Sequence, residues 1–271
     1  MIKFKKIAII GVGLIGGSIS LGLKSRLGKE IEIIEISKET DISTIPETDM
    51  IIISTPISQI PEVISKTMSL AKAETVMDVG SIKGDINDFV EQKKYSGFVG
   101  THPMAGREMG GYTNADPNLF INKPWIVCRT SKSTPRNVES VSELIELLGG
   151  KIIHMPARQH DEVVTWASHL SLVFSSLLVS ATAKQKNWDM IRKTASTGFR
   201  DTTRLASQNP SMKSDIITSN RGNVINALQT FQKEIEEFLS LIQKGEENAV
   251  LSYFAKSKRD RDKWLTKYFM A

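Results

Sequence analysis

The chain has 271 residues, of which 40% are hydrophobic and 24% are charged, and its formal net charge is +5. This composition excludes a disordered, collagen-like or coiled-coil protein, and the length allows one large domain or two of ordinary size. A single cysteine, Cys128, excludes a disulfide framework and favours a reducing, cytoplasmic compartment.

The excess of positive charge lies entirely in the second part of the chain. Residues 1–156 contain 18 basic and 18 acidic residues, whereas residues 157–271 contain 17 basic and 12 acidic residues. The basic part lacks interleaved aromatic residues and any motif of a nucleic-acid reader, so we expect no nucleic-acid partner. The four histidines show no zinc-type spacing, so we expect no metal site.

Short apolar strands alternate with helices in the first part of the chain. The sequence predicts strands over 6–10, 31–36, 50–54, 75–79, 97–100, 125–128 and 151–154, and helices over 16–27, 60–71 and 137–148. This alternation is typical of an α/β fold with a Rossmann-type, doubly wound parallel sheet.

After Pro156 the pattern changes to helices, predicted over 159–183, 190–195, 211–243 and 246–269. We therefore place a boundary that separates a dinucleotide-binding domain, residues 1–156, from an all-helical domain, residues 157–271. Long apolar segments in the second domain indicate an oligomer interface, and we expect a homodimer.

One segment of the helical part has the length of a membrane span. Residues 163–183 contain no charged residue, but they include His169, five serines and two threonines. These polar residues favour a helix buried inside the protein over a bilayer-spanning helix, so no membrane partner is expected.

The first strand ends in a glycine-rich turn with the spacing GxGxxG, formed by Gly11, Gly13 and Gly16. The first glycine permits a tight turn, the second lets a pyrophosphate approach the backbone, and the third lets helix and strand pack closely. The following helix offers its N-terminal N–H groups to phosphate. The pattern predicts a dinucleotide site, with an ordinary glycine turn as the alternative.

The end of the second strand bears on which dinucleotide binds. An acidic residue there contacts the ribose hydroxyls of NAD. If the strand ends at Ser37, that hydroxyl and Lys38 favour the 2′-phosphate of NADP; if Glu35 is the ribose contact, NAD is favoured. NADP is slightly preferred, and both residues are also compatible with a merely solvated surface.

Two polar residues follow neighbouring strands in this first part. Ser81 lies in the stretch DVGSIKG and His102 in THPMAG, each just past the predicted end of its strand, where doubly wound folds bind ligands. A histidine there can accept a proton near neutral pH, and a serine can orient it or hold a substrate hydroxyl. A structural turn residue is the alternative for His102.

The helical part contains the stretch GFRDTTRLA, in which Arg200 and Arg204 lie four residues apart and can share one helix face. Guanidinium groups suit carboxylates. The alternative is a surface salt bridge with Asp201 or Asp215.

Together these motifs resemble the prephenate/arogenate (cyclohexadienyl) dehydrogenase family of tyrosine biosynthesis. The combination of HPMAG with GFRDTTR is specific to this family. The matching stretches are spread over nearly all of the chain: GVGLIGGS at 11–18, STP at 54–56, DVGSIKG at 78–84, THPMAGREMGG at 101–111, LFINKPW at 119–125, ASHL at 167–170 and GFRDTTRLA at 198–206 with Pro210.

The resemblance implies oxidative decarboxylation of prephenate or arogenate with NAD(P), and it implies site roles. His102 would take the proton of the ring hydroxyl, Ser81 would orient His102, and Arg204, with Arg200, would bind substrate carboxylate. His169 matches a substrate-side histidine of the family. The cofactor would contact Gly11, Gly13, Leu14, Ile15 and Gly16, with Thr55 and Pro56 lining its site.

One stretch departs from the family. The usual SHLPH reads SHLSL here, from Ser168 to Leu172, so the second histidine is absent. That histidine is linked in the family to the substrate side chain, and its absence favours arogenate. Two other functions remain open: a β-hydroxyacid-type dehydrogenase, which uses a lysine in its helical domain, and a non-catalytic dinucleotide-binding redox sensor.

Overall fold

The computed structural model describes residues 4–37 and 40–268 of the chain. The strands are β1 (Lys6–Ile10), β2 (Glu32–Ile36), β3 (Thr48–Ile53), β4 (Ala73–Asp78), β5 (Phe98–Pro103), β6 (Pro124–Arg129) and β7 (Lys151–His154). Helices α1 (Leu14–Leu27), α2 (Ile60–Leu70), α3 (Gly84–Lys93) and α4 (Pro135–Leu147) lie between them. Short 3-10 turns cover Gly28–Glu30, Ile42–Thr44, Ile57–Gln59, Tyr112–Asn114 and Arg204–Ser207.

The helices that follow the last strand are α5 (Ala157–Val164), α6 (Leu170–Ala183), α7 (Trp188–Thr194), α8 (Thr197–Thr203), α9 (Pro210–Ser219), α10 (Arg221–Gln243) and α11 (Glu247–Tyr268). A π-helical turn, Thr165–His169, joins α5 to α6. The sequence predicts one helix over 211–243, and this is wrong: the chain breaks at Asn220, whose side-chain amide is bonded inside the protein.

The seven strands form one sheet in the order β2-β1-β3-β4-β5-β6-β7. Strands β1 to β5 pair with one another in parallel, whereas β6 runs antiparallel to β5 and β7 is parallel to β6. The expected Rossmann-type α/β fold followed by helices is therefore confirmed, with a sheet that is mostly parallel. The order reverses at β1, which opens a crevice between the carboxyl ends of β1 and β3.

Alternate strand residues face opposite sides of the sheet and form two cores. Ile9 and Ile52 pack in a cluster that includes residues of α1 and α4, and Ile10 and Ile53 pack in a cluster with residues of α2 and α3. Burial of each such side chain stabilises the fold by about 1.5–3 kcal/mol. These cores fix the strand ends that carry the site.

Helix α5 packs on the sheet near β6. Val164 lies in a small cluster with Ile126 and Cys128 of that strand. This contact brings the polar residues at the start of the helical part next to the end of β5.

The uncharged segment lies in the continuous helical stretch Ala157–Ala183, which is long and apolar enough to cross a membrane by length and composition alone. Only 33% of the most apolar 18-residue stretch of this helix is buried in the described chain. The expectation of a buried helix therefore holds for one face, which carries polar contacts such as the Ser175 hydroxyl accepting the N–H of Ala206 at 3.0 Å. The other face exposes Trp166 and Leu177.

The chain divides into two compact units, one up to Asn223 and one from Val224 onward. In the second unit, Phe238 stacks against Tyr253, with ring centroids 4.9 Å apart. Basic residues of α11 are exposed, and one of them, Lys256, pairs with exposed Asp260 one turn away at 3.0 Å. The division at residue 156 drawn from the sequence stays a prediction.

Candidate active site

The glycine-rich turn joins β1 to α1 with a geometry that only glycine permits. Gly11 has φ +95°, and a Cβ there would lie 2.6 Å from the carbonyl oxygen of Ser54. A Cβ on Gly16 would overlap the carbonyl oxygen of Gly11. In contrast, nothing lies within 4 Å of a Cβ built on Gly13, so the space before α1 is open. Helix α1 begins at Leu14 without a side-chain cap, which leaves N–H groups of its first turn, including Ile15, for an anion.

The two candidate ribose contacts at the end of β2, Glu35 and Ser37, have different surroundings. Glu35 accepts a hydrogen bond from Lys24 Nζ at 2.7 Å and another from the Ser20 hydroxyl, both on α1. Burial alone would raise the pKa of Glu35, but these two partners lower it below its ordinary value. Ser37 directly follows the strand and is exposed. Lys38 lies outside the described residues.

Thr55 and Pro56 follow β3 at the same edge of the sheet. The Thr55 hydroxyl is buried and has no hydrogen-bond partner in the described chain. The hydroxyls of Thr48 and Thr67 are also buried without a partner in the described chain, so it is the location of the Thr55 hydroxyl that matters. An unpaired hydroxyl beside an open glycine turn, at the point where the strand order reverses, fits a dinucleotide lying across this crevice.

His102 is the first member of a buried chain of hydrogen-bonded side chains. Its Nδ1 lies 2.8 Å from Nε2 of His160, and Nδ1 of His160 lies 2.8 Å from Oδ1 of Asp161. Backbone N–H groups of Lys83 and Gly84 donate to the two oxygens of Asp161, each at 2.8 Å. No hydrogen bond within the described chain occupies Nε2 of His102, so this nitrogen is available to accept a proton.

His102 lies inside a strand, so its expected place past the strand end is wrong. The parallel pairing of β5 with β4 stops at Gly100, but antiparallel pairing with β6 carries the strand on to Pro103. His102 is still beyond the end of β4, because β5 extends further than its neighbour.

Burial controls the protonation of these groups. It lowers the pKa of His102 well below its ordinary value, and neighbouring His160 and Lys83 add to the effect. Burial also lowers the pKa of His160, against the opposing effect of the hydrogen bond that His160 donates to Asp161. For Asp161 burial would raise the pKa, but the hydrogen bonds from His160 and the two backbone N–H groups outweigh it and lower the pKa. Near pH 7 the chain is therefore two neutral imidazoles ending on a carboxylate.

Ser81 does not make the contact expected of it. Among the hydrogen bonds of the described residues none joins Ser81 to His102, whose Nδ1 is bonded to His160 instead. Ser81 is partly buried in the loop after β4, and its contact with substrate stays a prediction. Two residues later, Lys83 is fully buried in an ion pair with Asp78 at the end of β4.

His169 closes the π-helical turn and is 2% exposed. Its Nδ1 lies 3.1 Å from the side-chain amide nitrogen of Asn220, whose two hydrogens are shared among Nδ1, the carbonyl oxygen of Asp161 and the hydroxyl of Thr165. Because a side-chain amide nitrogen only donates, Nδ1 is the acceptor and the proton of His169 is on Nε2, which is buried and has no partner among the described residues. Burial lowers the pKa of His169 to about 4. A buried, unpaired donor of this kind fits a ligand acceptor.

The two arginines have carboxylate partners. Arg204 Nη1 donates to Oε1 of Glu108 at 3.0 Å, which ties the start of a 3-10 turn to the loop after β5. Arg200 pairs with Asp201 at 2.9 Å on an exposed surface, the alternative considered from the sequence. Arg204 is thus joined to the His102 segment, and Arg200 is not.

The sequence pattern missed His160, Asp161, Asn220 and Glu108. A signal for two of them was present: in α5 the spacing of Ala157, His160, Asp161 and Val164 marks one face of a helix. Titratable residues on a face that also carries apolar residues indicate a buried polar cluster.

Known proteins match this chain over almost its full length. A model of the prephenate dehydrogenase nucleotide-binding domain matches residues 11–154, and one of the prephenate dehydrogenase dimerization domain matches residues 156–256. The prephenate dehydrogenase of Lactococcus lactis subsp. cremoris is 32% identical over 279 residues, covering 95% of this chain and 77% of that protein.

Two solved structures are similar over almost the full length. The arogenate dehydrogenase of Synechocystis is 30% identical with a TM-score of 0.83, covering 96% of this chain and 99% of that one. The prephenate dehydrogenase of Aquifex aeolicus, solved in complex with hydroxyphenyl propionate and NAD+, is 27% identical with a TM-score of 0.89, covering 97% and 99%. With two family models matched in succession along it, the chain belongs to the prephenate dehydrogenase family.

Proposed function

We propose that the protein is an NAD(P)-dependent dehydrogenase that oxidises and decarboxylates prephenate or arogenate. The observation that carries this proposal is His102: a neutral imidazole, held at Nδ1 by His160 and unpartnered at Nε2, in the same domain as an open dinucleotide cradle. Family membership supports it, as do relatives named prephenate and arogenate dehydrogenase.

The cradle residues would hold the cofactor. Gly13 and the first turn of α1 would bind the pyrophosphate, and the unpaired hydroxyl of Thr55 would donate to it or to the adjoining ribose. When bound, NAD(P)+ supplies the hydride acceptor. The engaged carboxylate of Glu35 and the exposed Ser37, whose hydroxyl contacts only the Thr40 hydroxyl among the described residues, support a preference for NADP.

His102 is the base in this proposal. Its Nε2 takes the proton of the ring hydroxyl as hydride leaves the same carbon. The bond from the opposite ring carbon to its carboxylate then breaks, CO2 leaves, and the electron pair completes the aromatic ring. His102 returns the proton to the ring oxygen, which leaves a neutral phenol, so that no proton is released overall.

Substrate anions require positive or donor groups. Arg204 would bind a carboxylate, either by sharing its guanidinium with Glu108 or by exchanging that partner for the substrate. The unpaired Nε2–H of His169 is a second donor. Buried Leu172 stands where relatives often place a second histidine, which supports arogenate as the preferred substrate.

We propose that two copies of the chain associate through the helical part. Exposed Trp166, Leu177 and Leu178 give α5–α6 an apolar face, and the matching family model is described as a dimerization domain. Light scattering should give twice the mass of one chain, and the mass of a single chain would contradict the proposal. We also propose a cytoplasmic location, because the single cysteine of the sequence, Cys128, is a buried free thiol.

The variant His102→Asn tests the base. We expect kcat to fall by on the order of 10³-fold, because the proton acceptor is lost, with the dissociation constant for NADP+ unchanged. Exposed His154 provides a matched control: His154→Asn should keep wild-type turnover. Wild-type turnover in the His102 variant would remove that residue from the mechanism, and would leave room for a β-hydroxyacid-type enzyme or a redox sensor.

A further inference from the structure

The buried chain from His102 to Asp161 has only one consistent arrangement of protons. Asp161 is ionised and held by two backbone N–H groups, so it can only accept, and Nδ1 of His160 must carry a proton. Neutral His160 then has its lone pair on Nε2, so His102 must donate from Nδ1. The lone pair of His102 is consequently on Nε2.

We infer that His160 and Asp161 are positioning residues that fix His102 in the Nδ1–H tautomer, with Nε2 as the base. The inference rests on the proposed function for what that base does, but the tautomer is a property of the chain without substrate. An imidazole with no partner at Nδ1 is free to carry its proton on Nε2, where it could not accept one from a hydroxyl.

The same contacts stabilise the protonated form of His102. Proton transfer to Nε2 makes an imidazolium, whose Nδ1–H remains bonded to His160 with the Asp161 carboxylate beyond it. The reaction returns that proton to the ring oxygen, so no proton needs to leave through His160. The pair therefore orients and stabilises, and it does not have to export protons.

The other groups around His102 do not supply this control. Its remaining electrostatic neighbours in the described chain are Lys83 and His169. The Lys83 ammonium is neutralised by Asp78 in a fully buried ion pair. His169 is neutral near pH 7 and bonded to Asn220. His160 is the group that touches Nδ1 of His102.

Two substitutions of His160 separate positioning from packing. His160→Gln keeps an amide oxygen that can accept from His102 and an NH2 group that can donate to Asp161. His160→Leu fills the space without either group. Asp161→Asn is a poorer choice, because either orientation of its amide opposes a backbone N–H of Lys83 or Gly84.

The first readout is the tautomer, measured by nitrogen NMR of histidine-labelled protein at pH 7 without substrate. In wild type and in His160→Gln we expect the His102 proton on Nδ1, and in His160→Leu a shift toward Nε2. The chain has four histidines, so the spectrum can be assigned by substitution. An unchanged His102 tautomer in folded His160→Leu overturns the inference.

The second readout is turnover. Relative to wild type, kcat should fall on the order of 10²- to 10⁴-fold in His160→Leu and by less than about tenfold in His160→Gln, with little change in KM. His154→Gln is the control for substituting a histidine and should match wild type. Equal kcat in the two His160 variants would overturn the inference. If wild type itself turns over neither prephenate nor arogenate, the proposed function fails, while the NMR measurement still decides the tautomer.

Discussion

At the scale of single residues, the site combines groups that are buried and lack a partner with groups that are exposed and already paired. His102 and His169 each present an unpartnered nitrogen, whereas Arg204 is paired with Glu108. We expect the two kinds to respond differently to substitution: loss of His102, the proposed base, should affect the chemical step, and loss of Arg204 should affect substrate binding.

Arg204→Ala should raise the KM for substrate by about 10- to 100-fold with a smaller effect on kcat, because one charge-assisted hydrogen bond of about 1.5–3 kcal/mol is lost. Steady-state kinetics with saturating cofactor measures this. Arg192, which is exposed and paired with Asp189 on α7, gives the control Arg192→Ala with an unchanged KM. Equal KM values in the two variants would exclude Arg204 from the carboxylate site.

Sequence reasoning at this scale found residues that stand in recognisable motifs and missed those that do not. His102 and Arg204 lie in HPMAG and GFRDTTR. His160 and Asn220 acquire their roles only through contacts 58 and 51 residues away in the chain, with His102 and His169 respectively. Such pairings follow from packing, which local sequence does not determine.

At the scale of elements, the turn between β1 and α1 contains glycines that the fold requires and one, Gly13, that we propose the cofactor requires. Gly16 packs against the carbonyl oxygen of Gly11, whereas Gly13 faces open space. Strand positions were predictable because buried parallel strands appear as short apolar runs. The direction of β6 was not predictable, because it depends on the path of the 104–123 loop, whose motifs carry no helix or strand periodicity.

Gly13→Ala should leave thermal stability nearly unchanged and weaken NADP+ binding at least tenfold, because the added methyl enters the space proposed for the pyrophosphate. Gly16→Ala should lower both, since its methyl would overlap backbone. Calorimetric binding and thermal unfolding measure the two effects. Gly222→Ala, also with open space around it, should alter neither. Tight NADP+ binding by folded Gly13→Ala would place the cofactor elsewhere.

At the scale of the whole molecule, three buried neutral histidines link folding to pH. His102, His160 and His169 all have lowered pKa values because of burial. The unfolded chain takes up protons on these groups near pH 6.5 and the folded chain does not. Stability therefore decreases as pH falls below about 6.5.

The size of this pH dependence of stability follows from the pKa of His169. With a folded pKa of about 4 against an ordinary 6.5, it accounts for a loss of about 3 kcal/mol in unfolding free energy between those pH values. Urea unfolding at fixed protein concentration should show a shallower pH dependence in His169→Asn than in wild type. The exposed-site variant His154→Gln should keep the wild-type dependence. Identical slopes for wild type and His169→Asn would contradict a neutral, buried His169.

The most direct test of the account is turnover of prephenate and of arogenate, each with NAD+ and with NADP+, followed by reduced nicotinamide absorbance and by CO2 release. We expect equimolar reduced cofactor and CO2, with the highest kcat/KM for arogenate and NADP+. A higher kcat/KM with prephenate or NAD+ would correct the specificity and keep the reaction. No CO2 release with either substrate would contradict the central claim.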